Sequence, residues 1–209
     1  TLGYADGEEM PFEEYLLMIR RIRASVSLPF TVDMEMGYGN TAEEIADRFE
    51  ELCKTGIAGV NIEDSVIGSN GRSIDDPLVF GKKLGHIISL LAQRKVELFI
   101  NVRSDAFLLK LPDARKEALK RIAIYENTGA HGIFLPCITE ADDIKAVTAA
   151  SSLPINVMCM PNLPDFHVLQ SAGVKRISMG PFMYQAVYKN VEVLSKKVVE
   201  EGSFACLFS

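Results

Sequence analysis

Two carboxylates stand close together in the stretch FTVDMEMGYGN, residues 30–40, which otherwise has the apolar bulk of a buried strand. Side chains alternate across a strand, so Asp33 and Glu35 are predicted to point toward the same face. Two like charges that are held close together and partly removed from water repel each other. A positive group must therefore offset the repulsion at this point of the chain.

Further polar side chains stand where later apolar segments end. The segments are AGVNIED (58–64), LFINVRSDA (98–106) and PINVMCMP (154–161), and their polar residues are Glu63, Asp64, Arg103, Asp105 and Asn156. If these segments are parallel strands, their carboxyl ends meet at one edge of the sheet. The sequence therefore predicts one site that collects acids, an amide and an arginine.

Clustered carboxylates suit a hard divalent cation. Mg²⁺ commonly takes only one or two carboxylates directly, while other acids hold its water ligands. We predict that Mg²⁺ or Mn²⁺ offsets the charges of Asp33, Glu35 and Glu63, and that Arg103 offers a fixed positive fork to a substrate carboxylate or oxyanion. Such a site favours chemistry that passes through an enolate.

The elements that must position these residues alternate along the whole chain. Helical periodicity covers 11–26, 41–56, 76–94, 112–129, 139–151, 165–172 and 182–200, and strand-like segments cover 30–35, 58–64, 98–106, 132–137, 154–161 and 176–180. Strands that are apolar throughout and separated by helices indicate parallel βα units. We predict an α/β fold of the TIM type, a (β/α)8 barrel in a single domain over 1–209, with only six of its eight strands in this chain.

Composition excludes several classes of protein. The chain has 209 residues, 48% of them hydrophobic, and a net charge of −6 without a basic run, so we expect no nucleic-acid partner. No apolar segment reaches the ~20 residues that span a bilayer, and the four cysteines are scattered without a CxxC pair. These features predict a cytoplasmic protein that does not associate with membranes.

The chain carries five motifs that occur in this order: VDMEMGYGN, GVNIED, NVRSDAF, GIFLP and PINVM. Through these motifs it resembles the phosphoenolpyruvate mutase and isocitrate lyase superfamily over nearly its whole length. The resemblance implies that Asp33, Glu35 and Glu63 surround Mg²⁺ and that Arg103 contacts substrate. It also implies a catalytic acid in the preceding loop, where LGYAD places Asp6. The catalytic set is then Arg103, Asp6 and Glu63.

The resemblance further implies a barrel that forms a homodimer or homotetramer, in which neighbours exchange a C-terminal helix, here residues 182–200. It also implies that the first strand, its helix and the second strand of the barrel lie upstream of this chain. We therefore expect the chain to begin near the loop after the second strand, so that the six-stranded sheet has an open edge that needs a partner.

The chain departs from the superfamily in the loop after the GVNIED strand, SVIGSNGRSIDD (65–76). Lyases carry a K-K-C-G-H signature there, and phosphonate mutases a lysine and an asparagine. We predict that this loop is a mobile lid and that Arg72 binds the second acidic group of the substrate. Asn156 completes the predicted substrate-binding set, together with Arg103.

The predicted function is a Mg²⁺-dependent lyase that cleaves a carbon-carbon bond of a small 2-oxo or 2-hydroxy carboxylate through an enolpyruvate-like intermediate, for example by decarboxylating oxaloacetate. One alternative is a phosphoenolpyruvate or phosphonopyruvate mutase or hydrolase that acts on a phosphorus-carbon bond, with Arg72 and Arg103 as its cations. Another is a catalytically silent barrel that binds a carboxylate.

Overall fold

The computed structural model describes residues 3–5, 7–69 and 71–208. The helices are α1 (Phe12–Ser25), α2 (Ala42–Cys53), α3 (Pro77–Gln93), α4 (Ala114–Tyr125), α5 (Ala141–Ala150), α6 (Phe166–Ser171) and α7 (Phe182–Glu201). The strands are β1 (Thr31–Asp33), β2 (Gly59–Glu63), β3 (Ser65–Gly68), β4 (Gly71–Ile74), β5 (Phe99–Arg103), β6 (Gly132–Leu135), β7 (Ile155–Met158) and β8 (Arg176–Ser178). Short 3₁₀ turns cover Glu126–Thr128 and Ala205–Leu207.

Six strands form one parallel sheet in the order β1-β2-β5-β6-β7-β8. Each strand lies beside its predecessor, as expected for successive βα units. The sheet curls, and Arg176 Nη2 of β8 donates a hydrogen bond of 3.3 Å to Thr31 Oγ1 of β1. The predicted α/β fold is confirmed as a half-barrel of the TIM type.

The helix starts follow local chemistry. Thr41 accepts a hydrogen bond from the backbone N–H of Glu44, and the Glu44 side chain accepts from the backbone N–H of Thr41, so the predicted capping box begins α2. Asp76 caps α3 by accepting from the N–H groups of Leu78 and Val79. These caps fix where the helices begin after β1 and after β4.

The two faces of the curled sheet differ in polarity. Outward residues such as Ile62 and Val102 are fully buried against the helices within one hydrophobic core. The inner face carries polar groups, and the amide of Asn101 donates a hydrogen bond of 2.9 Å to Asn61 Oδ1 on the neighbouring strand. The apolar contact between the helices and the outer face of the sheet therefore stabilises the fold, and the polar inner face is available for chemistry.

Two local predictions need correction. Within the predicted loop 65–76, Ser65–Gly68 and Gly71–Ile74 form an antiparallel hairpin, β3–β4, with Ser65 paired to Ile74. Strand β1 ends at Asp33, and Gly37, with φ 115°, donates a hydrogen bond of 2.6 Å to the Met34 carbonyl in a turn that follows. Glu35 therefore lies outside the strand.

None of the twenty residues of α7 is buried. Its exposed apolar residues include Val187 and Val191, and the rings of Tyr184 and Tyr188 make a tilted contact with their centroids 4.3 Å apart. Among the described residues, no helix has both the length and the apolar character needed to cross a membrane.

Candidate active site

Arg103, at the carboxyl end of β5, forms the centre of an acid-arginine cluster. Its Nε lies 2.7 Å from Asp105 Oδ1 and its Nη2 lies 3.2 Å from Asp105 Oδ2, which makes a bidentate pair. Its Nη1 lies 2.8 Å from Glu63 Oε2, at the end of β2. Burial tends to lower the pKa of the Arg103 guanidinium, but the hydrogen bond and charge of Asp105 and the charge of Glu63 outweigh it and raise that pKa.

Glu63 is the most enclosed of the three carboxylates predicted to surround the metal, Asp33, Glu35 and Glu63. Its side chain is fully buried between Arg103 and Arg72. Burial raises the pKa of Glu63 to about 7, with Asp105 adding to the rise and the two arginines opposing it. Glu63 Oε2 accepts no hydrogen bond of good geometry within the described part of the chain, although Arg103 lies beside it.

The two carboxylates of the DME stretch do not share one strand face. Asp33 ends β1, and its Oδ2 lies 3.9 Å from Arg103 Nη1. Glu35 has a φ of 46°, and its Oε2 accepts hydrogen bonds from the backbone N–H groups of Gly7, at 2.6 Å, and Glu8, at 3.0 Å. An arginine beside Asp33 and two backbone N–H donors to Glu35 thus reduce the predicted repulsion.

Arg72 reaches the cluster from the hairpin. It lies on β4, and its Nη1 contacts Glu63 Oε1 and lies 3.3 Å from Asp105 Oδ2. Ser65, at the other strand of the hairpin, donates a hydrogen bond to the same Asp105 oxygen. The hairpin therefore already covers the cluster in this structure and brings a second guanidinium to it.

The remaining predicted residues are placed differently. Asn156 lies on β7, two strands from Arg103, and is buried, with its Nδ2 3.4 Å from Ser178 Oγ. Its Oδ1 has no hydrogen-bond partner among the described residues, so it is an acceptor that can still be used. Asp6, the predicted acid of the N-terminal loop, lies outside the described residues.

Among the predicted metal-binding residues, Asp33 has the position and the exposure that a direct ligand of Mg²⁺ needs. Asp33 supplies a hard carboxylate at the barrel mouth, and its side chain is 46% exposed, so solvent ligands can reach a cation held there. Glu63 is paired with guanidinium groups, and Glu35 accepts hydrogen bonds from backbone N–H groups. Both are therefore better suited to holding water ligands of a cation than to binding the cation directly. Over residues 3–5, 7–69 and 71–208, no three His, Cys, Asp or Glu side chains come together as a metal cluster.

Sequence reasoning missed the role of Asp105, which binds Arg103, Arg72 and Ser65 at once. Its position two residues after Arg103 was the available signal. It also missed a buried group behind the sheet, in which Asp64 Oδ2 accepts hydrogen bonds of 2.8 Å from both Arg121 and Tyr125 of α4.

Comparison with known proteins gives a consistent result. The profile of the phosphoenolpyruvate phosphomutase family matches residues 1–199. An uncharacterised protein of Mycobacterium tuberculosis (strain ATCC 25618 / H37Rv) is 31% identical over 156 residues, which is 75% of this chain and 56% of that protein. The oxaloacetate decarboxylase of Bradyrhizobium sp. (strain BTAi1 / ATCC BAA-1182) is 30% identical over 207 residues, which is 93% of this chain and 68% of that enzyme.

Solved structures agree with the fold. A protein from Burkholderia cenocepacia J2315, provisionally assigned as a phosphonomutase, superimposes with a TM-score of 0.85 at 34% identity, over 93% of this chain and 79% of that one. A phosphonopyruvate hydrolase in complex with oxalate and Mg²⁺ gives a TM-score of 0.80 at 20% identity, over 95% of this chain and 70% of that one, and supports the fold alone. The chain spans little more than half of the first curated relatives that it matches.

Proposed function

The chain belongs to the phosphoenolpyruvate phosphomutase family, and on that premise we propose that it is a Mg²⁺-dependent lyase acting on a small 2-oxo or 2-hydroxy carboxylate. The observation that carries the proposal is the acid-arginine cluster at the ends of β2 and β5, where Arg103 and Arg72 meet Glu63 and Asp105. Such a cluster offers positive forks for an anion beside carboxylates suited to a hard cation. The proposed reaction is the decarboxylation of oxaloacetate.

In this reaction the bond between C3 and C4 of oxaloacetate breaks, CO₂ leaves, and the electron pair passes to C3 and the 2-oxo group as the enolate of pyruvate. A proton added at C3 then gives pyruvate. Mg²⁺, when bound, polarises the 2-oxo oxygen and favours this charge. Arg103 is the proposed partner of the C1 carboxylate or of the oxyanion, because Asp105 holds its guanidinium in one plane and orientation.

The other residues have proposed roles that follow their positions. Asp33 is the proposed direct ligand of the cation, with Glu35 and Glu63 orienting its waters. Arg72 would bind the leaving carboxylate, and the hairpin would exclude water from the site. Asn156 Oδ1, a buried acceptor, is a proposed contact for a substrate hydroxyl or a bound water. Asp6 retains its proposed catalytic role.

Cleavage of a phosphorus-carbon bond is the second candidate, and one observation favours it. Arg72 and Arg103 both pair with Asp105, so two guanidinium groups stand within reach of one anion. Paired arginines suit the several oxygens of a phosphonate as well as a carboxylate. A mutase or hydrolase of phosphonopyruvate would use the same cluster.

A substrate panel separates these functions. Purified protein with Mg²⁺ would be mixed with oxaloacetate, other 2-oxo and 2-hydroxy dicarboxylates, and phosphonopyruvate, while pyruvate and phosphate release are measured above the uncatalysed rate. Turnover of oxaloacetate that EDTA abolishes is the expected result. Preferred turnover of phosphonopyruvate would favour the second candidate, and binding without any turnover would favour a silent carboxylate-binding barrel.

We also propose that α7 is a subunit contact in a homodimer or homotetramer, through exchange of this helix between neighbours. The support is a twenty-residue helix with no buried residue and an apolar surface.

The four cysteines are free thiols, which suits the proposed cytoplasmic location.

A further inference from the structure

A group of four residues joins the base of the hairpin to helix α4, and we name it the hairpin clasp: the buried Asp64, Arg121 and Tyr125, and the half-buried Asp75. Arg121 Nη1 donates a hydrogen bond of 2.8 Å to Asp64 Oδ2, and Arg121 Nη2 donates one of 2.7 Å to the Asp75 carbonyl. Tyr125 adds a third donor, its hydroxyl, at 2.8 Å from Asp64 Oδ2. Asp64, Arg121 and Tyr125 are all at most 2% exposed.

The clasp closes a ring of hydrogen bonds around both ends of the hairpin. Asp64 immediately precedes β3 and Asp75 immediately follows β4, and the Asp75 N–H donates to the Asp64 carbonyl at 2.8 Å. One guanidinium therefore holds both ends of the segment that carries Arg72. A planar fork with donors in fixed directions suits two acceptors at once, whereas an ammonium group is a single point of charge.

Asp64 also connects the clasp to the acid-arginine cluster. Its N–H donates to the Arg103 carbonyl at 3.0 Å, and its Oδ1 accepts from the Asp105 N–H at 3.1 Å. The side chains of Arg103 and Asp105 face the barrel mouth, while Arg121 stands behind the sheet. A change at Arg121 therefore reaches the mouth through two hydrogen bonds, without any contact between Arg121 and a substrate.

We propose that Arg121 is a positioning residue: by clasping Asp64 and Asp75 it fixes the hairpin base and the backbone of Arg103 and Asp105, and so sets where Arg72 and Arg103 meet substrate. The base then stays in place while any opening movement is confined to the outer part of the hairpin. This inference deepens the proposed lyase function and rests on it for the catalytic consequence alone.

The decisive variant is Arg121→Lys, because it keeps the positive charge beside Asp64 and removes the fork. Backbone hydrogen-deuterium exchange of 65–69 and 71–75 is measured without substrate. Exchange there should accelerate at least tenfold, while exchange in β6 and β7 stays unchanged. With oxaloacetate, kcat should fall at least tenfold and KM less than threefold, since the groups that bind the substrate remain but lose their alignment.

Two further variants complete the design. Tyr125→Phe removes the hydrogen bond that the hydroxyl donates to Asp64 and the one of 3.0 Å that it accepts from Arg121 Nη1, and it keeps the ring against Phe80. Exchange should therefore rise in the hairpin alone, by two- to fivefold. Arg115→Lys is the control, because Arg115 lies on the same helix but is exposed and pairs with Asp143 at 2.7 Å. This variant should change neither hairpin exchange nor kcat.

The outcomes are distinguishable. Hairpin exchange unchanged in folded Arg121→Lys overturns the clasp, and so does acceleration spread equally over all strands, because that result describes a general loss of stability. If Arg121→Lys does not fold, unchanged hairpin exchange in Tyr125→Phe overturns the proposal. If the wild-type protein turns over none of the substrates, the proposed function fails while the exchange data still test the clasp.

Discussion

Replacing Asp33 with Asn should remove Mg²⁺ binding while leaving the fold intact. Asn keeps the shape of the side chain and an oxygen that can accept the 3.2 Å hydrogen bond from the Glu35 N–H. It removes the negative charge, which is the property that a hard cation needs. The substitution therefore separates the metal role of Asp33 from its part in the turn after β1.

The structural cost of this change is small. The Asp33 side chain is 46% exposed and its ion pair with Arg103 is long, at 3.9 Å. Exposed or half-exposed ion pairs contribute about 0–1 kcal/mol, which corresponds to a change in Tm of at most roughly 4 °C for a chain of this length. Loss of an outer-shell group commonly costs about 10–100-fold in metal affinity, so a direct ligand should cost at least about 100-fold, or roughly 2.7 kcal/mol.

The assay is isothermal titration calorimetry of Mg²⁺, and in parallel Mn²⁺, into metal-free protein at constant ionic strength. Thermal unfolding in EDTA measures stability on the same samples. The matched control is Asp47→Asn, which makes the same chemical change on α2, at a carboxylate that is 66% exposed and pairs with Arg94. Its affinity for Mg²⁺ should equal that of the wild type.

An unchanged Mg²⁺ affinity in folded Asp33→Asn would refute the assignment of Asp33 as the direct ligand. A drop in Tm of 10 °C or more would also contradict the reasoning, because it would show that Asp33 supports the fold and that its half-exposed contacts had been undervalued.

Three other predictions follow from geometry. Arg103→Lys keeps the charge but loses the bidentate pair, so kcat/KM should fall by at least about 100-fold; activity within threefold of wild type would contradict the role of the fork. Gly59→Ala should lower the free energy of unfolding by about 1–3 kcal/mol, since its Cβ would lie 2.4 Å from a β5 carbonyl oxygen. Gly68→Ala, where a Cβ meets nothing within 4 Å, is its control in urea denaturation and should change the free energy of unfolding by less than about 0.5 kcal/mol. The pair Val187→Glu and Val191→Glu on α7 should shift the protein to monomers in light scattering, and unchanged mass would argue against α7 as a subunit contact.

The order of the elements was predictable because it depends on local patterns. Thr41 and Glu44 are three residues apart and determine the start of α2 by themselves. The parallel arrangement followed from strands that are apolar throughout, such as GIFL, which is buried at every position. These features require no knowledge of distant parts of the chain.

The site was predicted less completely, for two physical reasons. Simple alternation placed Asp33 and Glu35 on one face, but the backbone of Glu35 has a positive φ that alternation does not describe. The hairpin, by contrast, had a local signal that the sequence analysis did not use. Gly68 and Gly71 are separated by two residues, a spacing typical of hairpin turns. The pairing of Asp64 with Arg121 joins residues 57 positions apart, and no periodicity in the sequence contains that information.

The way in which the hairpin joins the barrel bears on how such a protein can diversify. Asp64 and Asp75 are adjacent in space, linked by one backbone hydrogen bond of 2.8 Å, although ten residues separate them in the chain. A segment whose two ends already meet can be lengthened, shortened or exchanged without altering the path of the strands on either side, and loop closure changes slowly with length. The hairpin is thus an exchangeable segment on an unchanged barrel. A different segment inserted between Asp64 and Asp75 would place another side chain over Arg103 in the position that Arg72 now occupies.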